Sequence, residues 1–453
     1  NGSSITIFAD PASGLTPVVT PPAASTAAFV IANSSVGVMG IDIRPASAVT
    51  YGVLVSSSYV RLSSVNVQDA GGYINVAGVS LSSWNIVSNS SVTVTAAHGF
   101  YLPGSTMTTI SYSSAQANGA AFAALYLVGA SSNSFTVFLA SNPAGFGIEL
   151  LAGADNNTIS QSTMIVSGST TRHALYISAS ASNTVTGSYM YSPTGYTAYL
   201  FTGANYNTIS FSTISNATNT DAYPALRLWS ASGNTITRSV IRNPLGNAVD
   251  TFGSAYNIFS QSSILGAGNR SGFALNTGSS SNTISACVIT GSSSALNLIG
   301  ASYNTISQST MTGTNTALLM TGSTGNVLTG NFLTGLGTFG AEIIAASEWN
   351  TISLSTITSS AAGFSGLYIS GSASNTIVSS YIQASTGALV IESTGTAITS
   401  SELVATSVLG NALVLSTGNV NLTVAGSTLR GGSSGRGLVM GVGNGGVVSI
   451  GSV

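Results

Sequence analysis

One four-residue unit, Asn-Thr-Ile-Ser or a near variant, recurs along most of this chain and constrains its fold more than any other feature. Successive units start about 24 residues apart, a period typical of proteins built from stacked repeats. A single repeat of this length cannot bury its own apolar face, so neighbouring repeats must stack into a continuous core. The units begin at Asn133, Asn157, Asn183, Asn207, Asn234, Asn257, Asn282, Asn304, Asn326, Asn350 and Asn375.

Two further segments complete each repeat. A small residue, an apolar residue, any residue and a second apolar residue precede the asparagine, as at 174–177 and 295–298, and an apolar residue such as Met164 follows it. Alternation with a period of two predicts strands, and the 3.6-residue period of helical repeats is missing. Three short strands per repeat predict an all-β fold: a single-stranded parallel β-helix (solenoid) of about 17–18 coils of about 24 residues.

The repeated asparagines have a structural explanation. We expect each of them to occupy a tight corner between strands, where asparagine tolerates left-handed backbone geometry. Coils stack about 4.8 Å apart, so the amides of successive coils can hydrogen-bond to one another in a ladder. We therefore predict that these side chains are structural and assign them no catalytic role.

This combination of turn, strand motif and coil length resembles the right-handed parallel β-helix repeat proteins, the pectin-lyase-like superfold, over roughly residues 36–450. The resemblance implies a right-handed winding. It leaves the function open, because that superfold includes polysaccharide lyases, glycoside hydrolases, adhesins, phage tailspikes and structural proteins.

The two ends of the chain differ from the repeats between them. Residues 1–35 are rich in proline and predicted to be an irregular segment, either a cap or a strand that links subunits, whereas residues 36–453 are predicted to form the β-helix. Residues 447–453 are strand-like and would leave an open edge. Because the chain starts at Asn1 without a basic and apolar leader, it is interpreted as a processed secretory product.

Composition excludes several classes of function. Charged residues make up 4% of the chain, lysine is absent and the net charge is −2, so no basic surface for nucleic acid is expected. No apolar stretch reaches the length of a membrane-spanning helix. His98 and His173 have no Cys or acid at metal-ligand spacing, and the lone Cys287 cannot form an internal disulfide. We predict no metal site and no cofactor.

Candidate binding residues come from the outward position of the small-apolar-x-apolar strand. The predicted order on this face includes Tyr101, Tyr126, Glu149, Tyr176 and Leu200. Tyr126, Glu149 and Tyr176 occupy neighbouring coils and are candidate carbohydrate contacts, since aromatic rings stack on sugars.

The same face offers no obvious catalytic group. Glu149 and Asp250 are three or more coils apart, too far for a calcium site or for the paired carboxylates of a hydrolase. We therefore predict no catalytic residues and expect that the chain is not an enzyme.

The leading prediction is a secreted structural β-solenoid that assembles end to end, head to tail with copies of itself, into an extracellular or cell-surface filament. Low net charge and uncovered strand edges favour such association. The alternative is a carbohydrate-binding adhesin or tailspike-like β-helix with a polysaccharide partner, and the third candidate is a polysaccharide lyase or hydrolase. A minor candidate is an ice-binding surface, suggested by the outward Thr-x-Ser face of residues such as Thr158 and Ser160.

Overall fold

A computed structural model describes residues 4–10, 15–168, 171–217, 223–445 and 449–450. All regular elements in these ranges are β-strands. The strands form about 17 coils of about 24 residues, and the strand pairs are parallel, so the prediction of a parallel β-solenoid is confirmed. Of the predicted terminal strand, residues 447–448 and 451–453 lie outside the described residues.

The chain divides into two compact units. The first contains residues 1–217 with Ala225–Arg227, and the second contains Thr218–Pro224 with Leu228–Val453. Strand Leu226–Trp229 contains residues of both. The strands of each unit stack in three rows. In a typical coil, the first-row strand directly follows the repeated asparagine, the second-row strand comes next along the chain, and the third-row strand carries the small-apolar-x-apolar motif.

In the first unit, four long strands run through the first and second rows together. These are Val36–Ile43, Arg61–Gln68, Thr109–Ala117 and Ser134–Asn142. The other first-row strands are Ile5–Phe8, Ile86–Ser88, Thr158–Ser160, Thr184–Thr186 and Thr208–Ser210. The other second-row strands are Val18–Val19, Ser91–Val94, Thr163–Val166, Tyr189–Ser192 and Thr213–Asn216. The third row contains Ala27–Ile31, Val49–Val55, Ile74–Leu81, His98–Pro103, Ala123–Val128, Phe146–Leu151, Leu175–Ser178 and Ala198–Phe201.

The second unit repeats this plan with shorter strands. Its first row contains Thr235–Thr237, Ile258–Ser260, Thr283–Ser285, Thr305–Ser307, Val327–Thr329, Thr351–Ser353, Thr376–Val378, Ala397–Thr399, Thr423–Ala425 and Ser449–Ile450. Its second row contains Val240–Asn243, Ser263–Gly266, Val288–Gly291, Thr310–Gly313, Phe332–Gly335, Thr356–Ser359, Tyr381–Ala384, Glu402–Ala405 and Thr428–Arg430. Its third row contains Val249–Phe252, Phe273–Leu275, Ser294–Ile299, Thr316–Thr321, Ala341–Ile344, Ser365–Ser370, Thr386–Ile391, Leu413–Leu415 and Leu438–Met440.

Apolar side chains stack in register inside each unit. In the first unit Ile159 pairs with Val185 and Val185 with Ile209, and all three are at most 1% exposed. Alternation along each strand sends one side chain inward and the next outward, so every coil adds an apolar layer to the core. The mean hydropathy of the chain is positive, at +0.42. This layering explains how its apolar residues are buried although the described residues contain no helix.

The left-handed corner of each coil lies one residue before the asparagine, and the prediction that placed the asparagine itself there is wrong. Ser132, Ser182 and Tyr303 have φ values of 58°, 58° and 59° and directly precede Asn133, Asn183 and Asn304, none of which has a positive φ. The preceding residue turns the chain, which leaves the asparagine free to point its side chain inward along the stack.

The start of the chain contains strands that pair with the next coil. Ile5 pairs with Val36, and Ala27 pairs with Tyr51, in parallel registers like those of the later coils. The division of the chain into an irregular segment 1–35 and a β-helix 36–453 stays a prediction from the sequence. No helix long and apolar enough to cross a membrane occurs within the described ranges.

Candidate functional site

The outward face of the third row in the first unit carries an unbroken series of polar and aromatic side chains. Parallel registers join Tyr101 to Tyr126, Tyr126 to Glu149, Glu149 to Tyr176 and Tyr176 to Tyr199. We call these five residues the aromatic strip. The three candidates named from the sequence, Tyr126, Glu149 and Tyr176, therefore lie side by side on successive coils.

One position of the strip differs from the sequence-based order. Leu200 was placed on the outward face, but it points into the core with no exposed surface, and Tyr199 lies outward instead. Ala198 pairs with Leu175, so it occupies the first apolar position of the motif and not the small position before it. Tyr199 then takes the outward position, and Leu200 takes the second apolar position inside the core. The strip is consequently one aromatic ring longer than predicted.

Ring contacts hold the lower part of the strip together. Tyr101 and Tyr126 stack with ring centres 5.5 Å apart, and His98 stacks on Tyr126 at 4.2 Å with an interplanar angle of 9°. The His98 Nδ1 atom accepts a hydrogen bond of 3.1 Å from the Ala123 backbone N–H. The histidine is thus fixed in place and holds the Tyr126 ring in its orientation.

A second group of rings lies beyond Glu149. Tyr176 and Tyr199 have centres 5.7 Å apart, Tyr196 lies 4.7 Å from Tyr199, and His173 packs against Tyr199 at 5.2 Å. His173 and Tyr196 lie in the connections just before the third-row strands Leu175–Ser178 and Ala198–Phe201. They are outside the small-apolar-x-apolar motif, so the motif did not indicate them as part of the site. Together the two ring clusters flank Glu149 on both sides.

Glu149 is the buried acid of the strip. Its residue is 7% exposed, and burial raises the pKa of its carboxyl to about 7, opposed by the positive charge of Arg172. Arg172 lies 4.8 Å over the Phe146 ring, and its Nε donates to the Ala120 carbonyl oxygen at 2.9 Å. A carboxyl with this pKa is present in both protonation states near neutral pH, so it can either donate or accept a proton.

The two histidines are neutral under the same conditions. Burial lowers the pKa of His98 to about 4 and that of His173 to about 3. The Nδ1 atom of His173 has no hydrogen-bond partner among the described residues. Within those residues, no three His, Cys, Asp or Glu side chains come together as a metal site would require.

The second unit carries a cleft beside the corresponding outward face. Asp250, Asn276, Asn297 and Arg270 are among the residues that line its volume of about 360 Å³. The Asn276 side-chain amide donates to the Asp250 carboxylate, and the Oδ1 atom of Asn297 is buried without a hydrogen-bond partner in the described part of the chain. Such groups bind hydroxyl groups well, because each offers a donor or an acceptor.

The repeated asparagines lie inside each unit rather than at this face. In the second unit the Nδ2 atom of Asn304 donates to the Oδ1 atom of Asn326 at 3.0 Å, and that oxygen also accepts the Asn304 backbone N–H at 2.9 Å. The buried asparagines whose amides bond in this way are Asn133, Asn157, Asn183 and Asn207 in the first unit and Asn234, Asn257, Asn282, Asn304, Asn326, Asn350 and Asn375 in the second.

Cys287 belongs to a second buried stack, made mostly of serines. It is 1% exposed, its backbone N–H donates to the Ser309 Oγ atom at 3.1 Å, and burial raises the pKa of its thiol. A raised thiol pKa disfavours the thiolate, which is the nucleophilic form of cysteine.

Comparison with known proteins agrees with this architecture. The family described as right handed beta helix region matches residues 173–333, 224–382 and 271–429, which together span more than half of the 453-residue chain. No curated protein sequence matches at a significant level.

Several solved structures are similar to this chain. The A-module of a mannuronan C-5 epimerase from Azotobacter vinelandii is 13% identical with a TM-score of 0.37, over 77% of this chain and 90% of that module. A periplasmic alginate epimerase is 10% identical with a TM-score of 0.34, over 90% of this chain and 77% of its own. The Dettilon tailspike protein is 10% identical with a TM-score of 0.29, over 95% of this chain and 62% of its own. These likenesses concern the fold.

The prediction that the chain is not an enzyme is corrected by these comparisons. Two of the similar structures are epimerases. The prediction relied on the lack of paired acids in adjacent coils, and that criterion does not cover a single buried acid flanked by tyrosines, as Glu149 is.

Proposed function

Because this chain belongs to the right-handed β-helix family, we propose that it is an extracellular carbohydrate-active protein that binds a polysaccharide along the aromatic strip. The observation that carries the proposal is the placement of Glu149, a buried acid with a pKa of about 7, between Tyr126 and Tyr176 on a continuous outward face. Tyrosine rings offer flat apolar faces to sugar rings, and their hydroxyls bond to sugar hydroxyls.

The cleft in the second unit supports the same function. Asp250, Asn276 and Asn297 present carboxylate and amide groups, which are suited to sugar hydroxyls. The buried Oδ1 atom of Asn297 would gain a hydrogen bond when a hydroxyl enters, since the described residues offer it none.

Glu149 also gives the strip a group for proton transfer. A general acid or base works best when its pKa lies close to the operating pH, and burial brings Glu149 into this range. We propose that Glu149 exchanges a proton with the bound polysaccharide.

Gel electrophoresis in the presence of soluble polysaccharides tests the binding. Replacing Tyr126 and Tyr176 with alanine removes two stacking surfaces of about 1 kcal/mol each, so affinity for the best-binding polysaccharide should fall roughly thirtyfold. Tyr112→Ala is the matched control, because Tyr112 is 65% exposed on the first unit but lies outside the strip. Equal retardation of the double variant and the wild type by every polysaccharide that the wild type binds would overturn the proposal.

A second experiment addresses the proton transfer. The polysaccharide that binds is incubated with the wild type and with Glu149→Gln, and its chain length and sugar composition are followed by NMR. We expect the wild type to change the polymer and the variant to bind it unchanged. A variant with full activity would exclude Glu149 from the chemistry.

End-to-end assembly into a filament is a second candidate function, favoured by one observation. Strand Ile5–Phe8 pairs along one edge with residues 36–39, and all four of its residues are exposed. An exposed strand edge can pair with the edge of another molecule, and a head-to-tail contact of this kind propagates.

The substitution Thr6→Pro tests this assembly. The Ile5 N–H donates to the Ser35 carbonyl, and N–H groups alternate in direction along a strand, so the Thr6 N–H points to the open edge. Proline would remove this donor while leaving the inner pairing intact. Light scattering should detect filaments of the wild type and single molecules of the variant. A wild type that stays monomeric at high concentration would exclude the filament.

A further inference from the structure

Exposed aromatic side chains recur at one corner of the coils in the second unit. Tyr256, Tyr303 and Trp349 each directly precede a stacked asparagine and have φ values of 58°, 59° and 57°. Their side chains are exposed, with 69%, 66% and 65% of the residue surface accessible. We call these three residues the corner aromatics. They lie outside the cleft and have no part in the apolar core.

The corner aromatics alternate with small residues. Ser281 occupies the corner between Tyr256 and Tyr303, and Gly325 occupies the corner between Tyr303 and Trp349. Backbone hydrogen bonds keep the corners in register: the N–H of Ser281, Tyr303 and Gly325 each donates to a carbonyl of the next coil at 2.9–3.1 Å. One aromatic side chain therefore occurs on every second coil, at a spacing of about 9.6 Å along the stack.

Folding does not require aromatic residues at this corner. A left-handed backbone disfavours bulky side chains and favours glycine and asparagine. The first unit has Asn156 and Ser182 at the same corner, besides the exposed Tyr206, and the second unit has Gly325. Because the aromatic side chains are exposed, burial does not compensate for the unfavourable conformation. Their recurrence needs an explanation other than packing.

The small residues between them shape the surface. A Cβ atom on Gly325 would lie 2.7 Å from the Cδ1 and Cε1 atoms of the Tyr303 ring. The ring therefore lies over the corner of Gly325, and a larger residue there would have to displace it. Tyr303 remains 66% exposed, so part of its ring is accessible to a ligand.

We propose that Tyr256, Tyr303 and Trp349 form a platform that binds an extended polysaccharide of equatorially linked pyranose rings, of the β-1,4-glucan type, running along the stack of coils. The C–H faces of such sugars pack on aromatic rings. Two coils, about 9.6 Å, are close to the length of a disaccharide unit in an extended chain, so every second sugar meets one ring. A helical α-linked polymer does not offer this flat, regular repeat.

The platform uses residues outside the aromatic strip, and its test is independent of the proposed function. Sedimentation with microcrystalline cellulose measures the binding of the wild type and of a triple variant with Tyr256→Asn, Tyr303→Asn and Trp349→Asn. Asparagine suits the left-handed corner, as Asn156 shows, so the variant should fold with an unchanged or higher melting temperature. We expect the fraction bound to cellulose to fall at least tenfold.

Two matched variants separate the platform from general stickiness. Leu354 is 68% exposed and also has a left-handed backbone, but it lies at a different corner of the coil. The variant Leu354→Asn should therefore leave the binding unchanged. The exchange Tyr303→Ser with Ser281→Tyr keeps the composition but destroys the two-coil spacing, and it should weaken the binding as strongly as loss of Tyr303 alone.

Three results would overturn the proposal. The first is a wild type that does not sediment with cellulose or that binds granular starch equally well. The second is a triple variant, or a spacing exchange, that binds cellulose as the wild type does. The third is loss of cellulose binding in the double variant Tyr126→Ala, Tyr176→Ala, which would place the binding at the aromatic strip and not at the corner aromatics.

Discussion

Burial controls the ionisation of three side chains in and beside the aromatic strip. It raises the pKa of Glu149 to about 7 and lowers the pKa of His98 to about 4 and that of His173 to about 3. All three groups are therefore stabilised in their neutral forms. The aromatic strip therefore contains an acid that changes its charge near neutral pH, and a neutral imidazole packs beside the strip on each side of this acid.

The substitution Glu149→Gln should stabilise the protein at alkaline pH. Between pH 4.5 and 7 the folded state retains a proton on Glu149 that the unfolded state has lost, so the wild type loses stability as the pH rises through this range. The advantage of the variant should be absent below pH 4.5, grow up to pH 7 and then stay constant, at no more than about 3 kcal/mol. Urea unfolding of both proteins between pH 4 and 9 measures the difference, and a difference independent of pH would contradict the assigned environment.

The histidines should produce the opposite trend at lower pH. Both are neutral in the folded state but gain a proton in the unfolded state below pH 6.5, so the stability should fall as the pH decreases from 6.5 towards 4. Replacing His98 with Gln should reduce this acid sensitivity in the same urea experiments. An unchanged slope between pH 4 and 6.5 would show that His98 is accessible to protons in the folded protein.

At the scale of the strand and its turn, the sequence predicted the repeat but not its details. Alternating apolar residues and the recurring asparagine indicated three parallel strands per coil. Both patterns are visible in the sequence because each coil places the same kind of residue against the same position of the next coil. The register at Leu200 was wrong, since Ala198 occupies an apolar position that its size does not reveal. Tyr196 and Arg172 were missed because they lie in connections, whose path depends on the coils around them.

The asparagine stack gives a prediction at the same scale. In Asn304→Leu the amide that bonds to Asn326 and the oxygen that accepts two hydrogen bonds from Asn282 are lost. Buried partners left without hydrogen bonds cost roughly 1–3 kcal/mol each, so the variant should be less stable by at least this amount. Thr305→Val, on the adjacent outward position, is the control and should change the stability little. Equal stability of Asn304→Leu and the wild type would contradict a structural role for the stack.

At the scale of the molecule, each unit is a series of coils that contact mainly their immediate neighbours. Stability in such arrays is close to a sum of coil and interface contributions, so damage should remain local. Hydrogen exchange in Asn304→Leu should increase most in the coils of Asn282 and Asn326 and little at Asn419, which belongs to the same unit. A uniform increase throughout the second unit would show that the unit unfolds as one cooperative block.

The central claim is that the aromatic strip binds a polysaccharide, and a crystal structure with an oligosaccharide of the best-binding polymer tests it most directly. The account predicts sugar rings stacked on Tyr126 and Tyr176, with a sugar hydroxyl within hydrogen-bond distance of the Glu149 carboxyl. An oligosaccharide that is bound elsewhere on the protein, with the strip empty, would contradict the claim.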